Sequence, residues 1–287
     1  MNMRRHVPDV DLGPITPAPS RTSGSLTFIG TATVIVEIGG FRFMTDPNFL
    51  HQGEHAYLGM GLRSKRLTDP AMELEALPQL DFIVLSHHHG DHFDQHVAER
   101  LRRDIPIVTE PGSARKLRQQ QFQRVFALET WQTQRMTRGD DTVDITATPA
   151  KHAPGPLQSL LPKVMGSILE FGSRGSTSFR LYITGDTLMF DGIARIRERY
   201  PQIDLCVIHL GGTRIAGVLL TMDAEQGVSA LRVIEPAVAV PIHNDDYTVF
   251  KSSLEEFRRA VDAADLTTDV RYLDRGETYT FPLPHPG

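Results

Sequence analysis

A single cysteine, Cys206, is the scarcest resource of this 287-residue chain. One thiol excludes an intrachain disulfide framework. It also excludes zinc sites built from several thiolates, so any bound metal must use nitrogen and oxygen ligands. Cys206 lies within an apolar stretch and reads as a core thiol. Long hydrophobic runs are missing too: none approaches the ~20 residues that span a bilayer. Basic residues are not in excess. A formal net charge of −5 gives no general reason to expect nucleic acid as a partner. Met1 to Ser20 carries Arg4 and Arg5 without an apolar stretch behind them, so it does not read as a secretory signal. Its prolines at Pro8, Pro14, Pro17 and Pro19 predict an extended arm over 1–24, and a cytoplasmic location is the default expectation.

What is present suits a folded enzyme. Hydrophobic residues at 40% and charged residues at 23% are enough for a substantial core, here expected as one domain over 25–287. Strands are predicted at Leu26–Gly30, Thr33–Ile38 and Phe41–Thr45, with Gly39-Gly40 as a hairpin turn. Pro47 to Pro70 reads as irregular, followed by a helix over Ala71–Leu77 and the apolar strand Phe82–Leu85. Helices over Gln95–Arg103 and Pro111–Gln120 flank a strand at Ile105–Thr109; strands at Arg124–Ala127 and Thr142–Thr148 close this half. After a Pro-rich loop, strands at Ser167–Phe171 and Ser178–Thr184 lead into helices over Gly192–Tyr200, Asp223–Val233 and Val249–Ala264. These alternate with strands Leu205–Ile208 and Ala237–Pro241, and Thr278–Phe281 ends the chain's ordered pattern. Strands interleaved with helices in both halves predict an α/β fold with two packed sheets and helices outside.

The densest chemistry is Ser86-His87-His88-His89-Gly90-Asp91-His92. His87-x-His89-x-Asp91-His92 places four metal-capable side chains within six residues, directly after the buried strand Phe82–Leu85. Further polar residues follow other strand-like runs: His152, Asp186, His209 and His243. Strand ends that share one sheet edge bring such residues together. His88, between two ligands, is expected to point away. Asp46 stands before Pro47 and reads either as a turn residue or as a carboxylate that orients a ligand imidazole. His209 stays open between a hydrogen-bonded buried histidine and a group that protonates a leaving group. Asp245, Asp246 and Tyr247 read as a plain solvated loop, with lining of the site's rim as the alternative, and Trp131 as packing a sheet edge. The loops Pro47–Thr68 and Pro154–Met165 are rich in apolar residues, including Tyr57, Leu58, Met60, Leu157, Leu160 and Leu161. They are expected to wall the site against an apolar substrate portion, or to cover a contact in a homo-oligomer.

The cluster, then a lone His, a Gly-Asp and a further lone His, together resemble the metallo-β-lactamase fold superfamily over roughly Leu26 to Phe281. Phe28-Ile29-Gly30-Thr31-Ala32-Thr33, Thr45-Asp46-Pro47, Pro149-Ala150-Lys151-His152, Gly185-Asp186-Thr187 and Pro241-Ile242-His243 are similar to one branch of it. That branch holds N-acyl-phosphatidylethanolamine phospholipase D and the ascorbate-phosphate lactonases. It usually has Pro where this chain has His209, and the phospholipase has a tryptophan-containing loop where this chain has Ala153-Pro154-Gly155. The resemblance implies a four-layer αββα sandwich of two mixed sheets. It implies that His87, His89 and His152 bind one metal, that Asp91, His92 and His243 bind a second, and that Asp186 bridges them. Zn2+ is the expected ion, with Mn2+ or Fe2+ as alternatives. The implied activity is hydrolysis of a phosphodiester, lactone or other ester, small or lipid-like, by a hydroxide shared between the metals, with Asp91 handling its proton. Rival readings are a mononuclear iron dioxygenase, a glyoxalase-like thioester hydrolase, and a metal-binding protein without catalysis. A flavin-partnered di-iron enzyme would want a carboxylate where His89 stands. A nuclease would want a basic track and a clamp domain, against which the acidic balance and the chain length both argue.

Overall fold

A computed structural model describes residues 7–283 apart from Met60, Leu160 and Arg174. The first six residues of the predicted arm, and Met60 and Leu160 of the apolar loops, therefore lie outside the described residues. Two large mixed sheets face each other. The first has seven strands in the order Thr278–Pro282, Ser23–Gly30, Thr33–Ile38, Phe41–Thr45, Phe82–Leu85, Ile107–Thr109 and Val125–Ala127. The second has eight: Val10–Asp11, Thr133–Arg138, Asp141–Pro149, Met165–Ser173, Ser176–Ile183, Leu205–His209, Val238–Ile242 and Asp269–Val270. Among the described residues five α-helices accompany them: α1 (Gln95–Arg100), α2 (Pro111–Gln119), α3 (Asp191–Arg199), α4 (Ala224–Ile234) and α5 (Leu254–Asp262).

Alternation on the central strands explains the layering. Phe82 and Val84 turn inward, with Phe43, Phe171, Leu181, Val207 and Val240, into the core between the sheets. Ile83 and Leu85 turn outward and pack with Val97 of α1 and Leu117 of α2. On the far sheet Tyr182, Cys206 and Ile208 turn outward under Ile193 of α3, Leu231 of α4 and Phe257 of α5. A strand covered on both faces is apolar throughout, which is why Phe82-Ile83-Val84-Leu85 is legible as a strand. Burial contributes roughly 1.5–3 kcal/mol for each large apolar side chain. Cys206 is fully buried, and burial pushes its thiol pKa up, so it is a packing residue.

Most predicted strands are found within a few residues of their expected ends. The Gly39-Gly40 turn has φ of 58° and 83°, the left-handed pair that a two-residue hairpin needs. Three expectations are corrected. Ala71–Leu77 forms only a single 3-10 turn, Leu74–Ala76. Pro47–Pro70 is not wholly irregular, because His55–Gly59 pairs with Leu62–Lys65 as a hairpin. The last helix starts at Leu254 rather than Val249, behind a Ser253/Glu256 capping box that satisfies its first amides.

Strand direction positions the site. Phe41–Thr45 runs parallel to Phe82–Leu85, and Ser176–Ile183 runs parallel to Leu205–His209 and Val238–Ile242. Asp141–Pro149 lies two antiparallel steps from Ser176–Ile183 and so points the same way. The chain therefore leaves these strands at common edges, beyond the carboxyl ends where α/β sheets gather ligands.

Candidate metal centre

Seven side chains from four chain segments converge at that edge. The turn after Phe82–Leu85 supplies His87, His89, Asp91 and His92. His152 follows Asp141–Pro149, Asp186 follows Ser176–Ile183, and His243 follows Val238–Ile242. His87, His89 and His152 present ligand atoms within 4.8 Å of one another, and so do Asp91, His92 and His243. His87 Nε2 and His89 Nδ1 are 2.8 Å apart. His243 Nε2 lies 3.6 Å from Asp91 Oδ2. Asp186 stands between the groups: Oδ2 is 4.0 Å from His87 Nε2 and 3.3 Å from His92 Nε2, and Oδ1 is 3.5 Å from His243 Nε2.

The backs of the rings are held by the protein. His152 Nδ1 faces the Leu220 carbonyl and His243 Nδ1 faces the Leu210 carbonyl, each at 3.2 Å. A carbonyl can only accept, so each Nδ1 carries the proton and each Nε2 keeps its lone pair for the centre. His92 Nδ1 lies 3.1 Å from Asp46 Oδ2, and His87 Nδ1 lies 3.0 Å from Ser86 Oγ. Toward the centre, Asp91 Oδ1, His92 Nε2, Asp186 Oδ1 and His243 Nε2 are buried without a hydrogen-bond partner. Buried polar atoms left so are costly. Four at one point, with imidazole tautomers fixed to offer lone pairs, fit divalent cations with nitrogen and oxygen ligands.

Electrostatics agree. Burial, reinforced by neighbouring imidazoles, drives His87 well below the usual histidine range. Burial, with His152 adding to it, takes His89 down to about 3. Burial alone would neutralise His92, but Asp186, Asp91 and Asp46 outweigh it and raise His92 well above its ordinary value. Burial opposes the Asp186 charge, yet His243 and His92 hold that carboxyl well below the carboxylate range. The set is thus a dense packing of groups that need positive charge among them.

His209 ends its strand fully buried, with Nε2 3.4 Å from Asp46 Oδ2 and Nδ1 3.4 Å from Thr184 Oγ1. Its ring stacks on His92 at 6.1 Å between centroids, with 8° between the planes. It stands behind the ligands, on the side of Asp46. Asp46 is itself in the left-handed region at φ 32°, accepts from Ser86 N at 2.6 Å, and so ties three site segments together. His88 turns away, as expected from its place, to Gln120 Oε1 at 3.3 Å.

Several supports are invisible to the motif. Asn48 is fully buried; its amide donates to the Gly90 carbonyl at 2.9 Å and accepts from Tyr247 Oη at 3.0 Å. Asp246 and Tyr247 correct the expectation of a solvated loop: they are 0% and 1% exposed, and Asp246 accepts from the Thr31 amide and from Arg275. The Thr31 carbonyl in turn accepts from His243 N at 2.6 Å. Gly90 donates to the Tyr57 carbonyl, and a β-carbon there would sit 2.6 Å from Tyr57 N. The glycine inside the motif is therefore a packing requirement of the hairpin. Trp131 packs against the outer core cluster beneath α3, and Arg199 of α3 lies over its ring at 4.8 Å.

Comparison with known proteins follows the same geometry. A family model described as a beta-lactamase superfamily domain matches residues 42–244. A UPF0173 metal-dependent hydrolase of Archaeoglobus fulgidus is 27% identical over 266 residues, covering 89% of this chain and 98% of the relative. An N-acyl-phosphatidylethanolamine-hydrolyzing phospholipase D 1 of Caenorhabditis elegans is 24% identical over 271 residues, covering 88% and 74%. Among solved structures, an isothiocyanate hydrolase from Delia radicum gut bacteria superposes with a TM-score of 0.76 at 21% identity, covering 90% of this chain and 99% of that one.

Proposed function

The chain belongs to the beta-lactamase superfamily as a metal-dependent hydrolase, and from that premise we propose that it cleaves an ester bond at a dinuclear centre. The bond is a phosphodiester, a lactone or another ester. His87, His89 and His152 would hold one divalent ion, Asp91, His92 and His243 a second, and Asp186 both. The observation that carries this is the pair of ligand groups joined by Asp186, with four buried ligand atoms unpartnered. Two such ions supply Lewis acidity, lowering the pKa of water toward about 7 and polarising a substrate oxygen. Zinc suits the imidazole-rich set, and manganese or iron would also accept it.

The protein's own groups do the rest. Asp91, 3.6 Å from His243 Nε2 at the edge of the second ligand group, takes the proton released as water attacks and passes it to the leaving oxygen. Asp186 fixes the separation of the two groups. His209 acts as a positioning residue through Asp46, because its Nε2 faces Asp46 Oδ2 at 3.4 Å, behind the ligand imidazole of His92. The catalytic unit is the domain from residue 25 onward together with the arm before it, whose Val10–Asp11 pairs with Thr133–Arg138 in the second sheet. The nematode relative acts on a phospholipid by its name, which favours a substrate with an apolar portion.

The test is a panel of chromogenic phosphodiesters, lactones and carboxylic esters, run with wild type and Asp91→Asn while bound metal is counted. Proton transfer of this kind contributes roughly 10²–10⁴-fold, so a loss of that order in kcat is expected. Undiminished kcat with both ions present would overturn the role of Asp91, and no turnover of any ester by metal-loaded protein would overturn the reaction class.

A further inference from the structure

Among the described residues three large hydrophobic side chains are exposed: Tyr57 at 53%, Leu67 at 42% and Leu157 at 41%. All three lie in the two apolar loops, Pro47–Thr68 and Pro154–Met165. Tyr57 and Leu161, one from each loop, line a cavity of about 610 Å³ with Leu58 and Phe93. The cavity reaches the centre through His89. His89 lines this cavity and, at 9%, is the most exposed of the seven ligand residues.

The polar lining is uneven. Asp94 is buried and engaged, accepting from the Val97 and Phe49 amides at the start of α1. Lys116 and Gln120 come from α2 and its cap, one turn apart and so on one face. Gln120 touches His88 at 3.3 Å, which sets this face against the ligand-bearing turn. Lys116 is the cavity's one lysine or arginine, and its ammonium has no ion pair or hydrogen bond among the described residues. A mostly apolar chamber with a metal centre at its edge and one unpaired ammonium selects for shape and charge together.

We propose that this cavity binds the non-reacting part of the substrate, an aliphatic chain bearing an anionic group, and that Lys116 is the residue that selects the anion. The inference rests on the hydrolase reading for the bond that reacts at the centre, but the binding itself needs only the cavity. Leu58, Phe93 and Leu161 would cover the methylenes, and the flexible lysine would pair with a carboxylate or phosphate as a point charge.

Calorimetric binding of octanoate and 1-octanol to wild type, Lys116→Gln and Leu161→Ser tests it, with metal counted in each preparation. One charge-assisted contact predicts octanoate bound about tenfold more tightly than the alcohol by wild type. Lys116→Gln should bring the ratio to within about twofold while alcohol binding stays unchanged. Leu161→Ser should weaken both ligands about threefold or more. A ratio that survives in Lys116→Gln overturns the assignment of Lys116, including the case in which octanoate simply ligates the metals. Unchanged affinities in Leu161→Ser overturn the cavity. Protein that holds no metal but keeps the Lys116-dependent ratio would sink the hydrolase mechanism and leave this site standing. Metal-loaded, ester-cleaving protein without the ratio would do the reverse.

Discussion

A carboxylate that touches two imidazoles and an amide decides how rigid this centre is. Asp46 Oδ2 faces His92 Nδ1 at 3.1 Å and His209 Nε2 at 3.4 Å, while Oδ1 holds the Ser86 amide. Such outer partners orient a ligand ring and raise its basicity, and losing one typically costs about 10–100-fold in metal affinity. Asp46→Asn and His209→Leu should therefore each weaken metal binding by about 10–100-fold, measured by competition with a chromogenic chelator. A drop in melting temperature without a change in affinity would show that both residues serve packing alone. Gly90 offers a second residue-scale prediction. Gly90→Ala places a β-carbon against the Tyr57 backbone, so the His55–Gly59 hairpin must lift from the ligand turn. Protease nicking within residues 47–68 should rise in that variant while core stability is retained; an unchanged cleavage pattern would contradict the close approach.

At the scale of elements, legibility follows from how each element satisfies itself. Phe82–Leu85 is apolar on both faces because both are covered, and a run of that kind announces itself in sequence. Thr133–Arg138 does not. Met136 is its one apolar residue, and Thr133 pays for its burial with a hydrogen bond to Thr146 Oγ1 at 2.8 Å on the neighbouring strand. The hairpin at His55–Lys65 is equally hidden, since glycines interrupt it and its pairing is read only against the ligand turn. The start of α5 was written in Ser253-Leu254-Glu255-Glu256, a capping box that outweighs the apolar Val249-Phe250 before it. Ser253→Ala should lower unfolding free energy by about 1 kcal/mol in urea titrations. No measurable change would mean that the packing of Phe257 alone sets that end.

The whole molecule exists, in this account, to bring distant ligands to one edge. The motif His87-x-His89-x-Asp91-His92 is local and legible in the sequence. The assembly of His152, Asp186 and His243 depends on strand directions that no short pattern encodes, and it became readable through the order of the motifs. The supports Asn48, Asp246 and Tyr247 had no such order to betray them, being polar residues in loops whose burial arises only on folding, as Thr31, Thr68 and Arg275 close around Asp246 and as Tyr247 bonds to Asn48. Because the gathered imidazoles and carboxylates leave buried atoms unpartnered toward the centre, metal binding should also stabilise the fold. A free ion at about 100 times its dissociation constant adds roughly 2.7 kcal/mol. Chelation should accordingly lower the melting temperature, and readdition of zinc should restore it.

The central claim is that Asp186 joins two ligand groups into one dinuclear site. Plasma mass spectrometry of wild type and Asp186→Ala, each loaded with zinc and desalted, tests it directly. Two ions per wild-type chain and no more than one per variant chain are predicted. A variant that retains two ions, or a folded wild type that retains none, would contradict the claim.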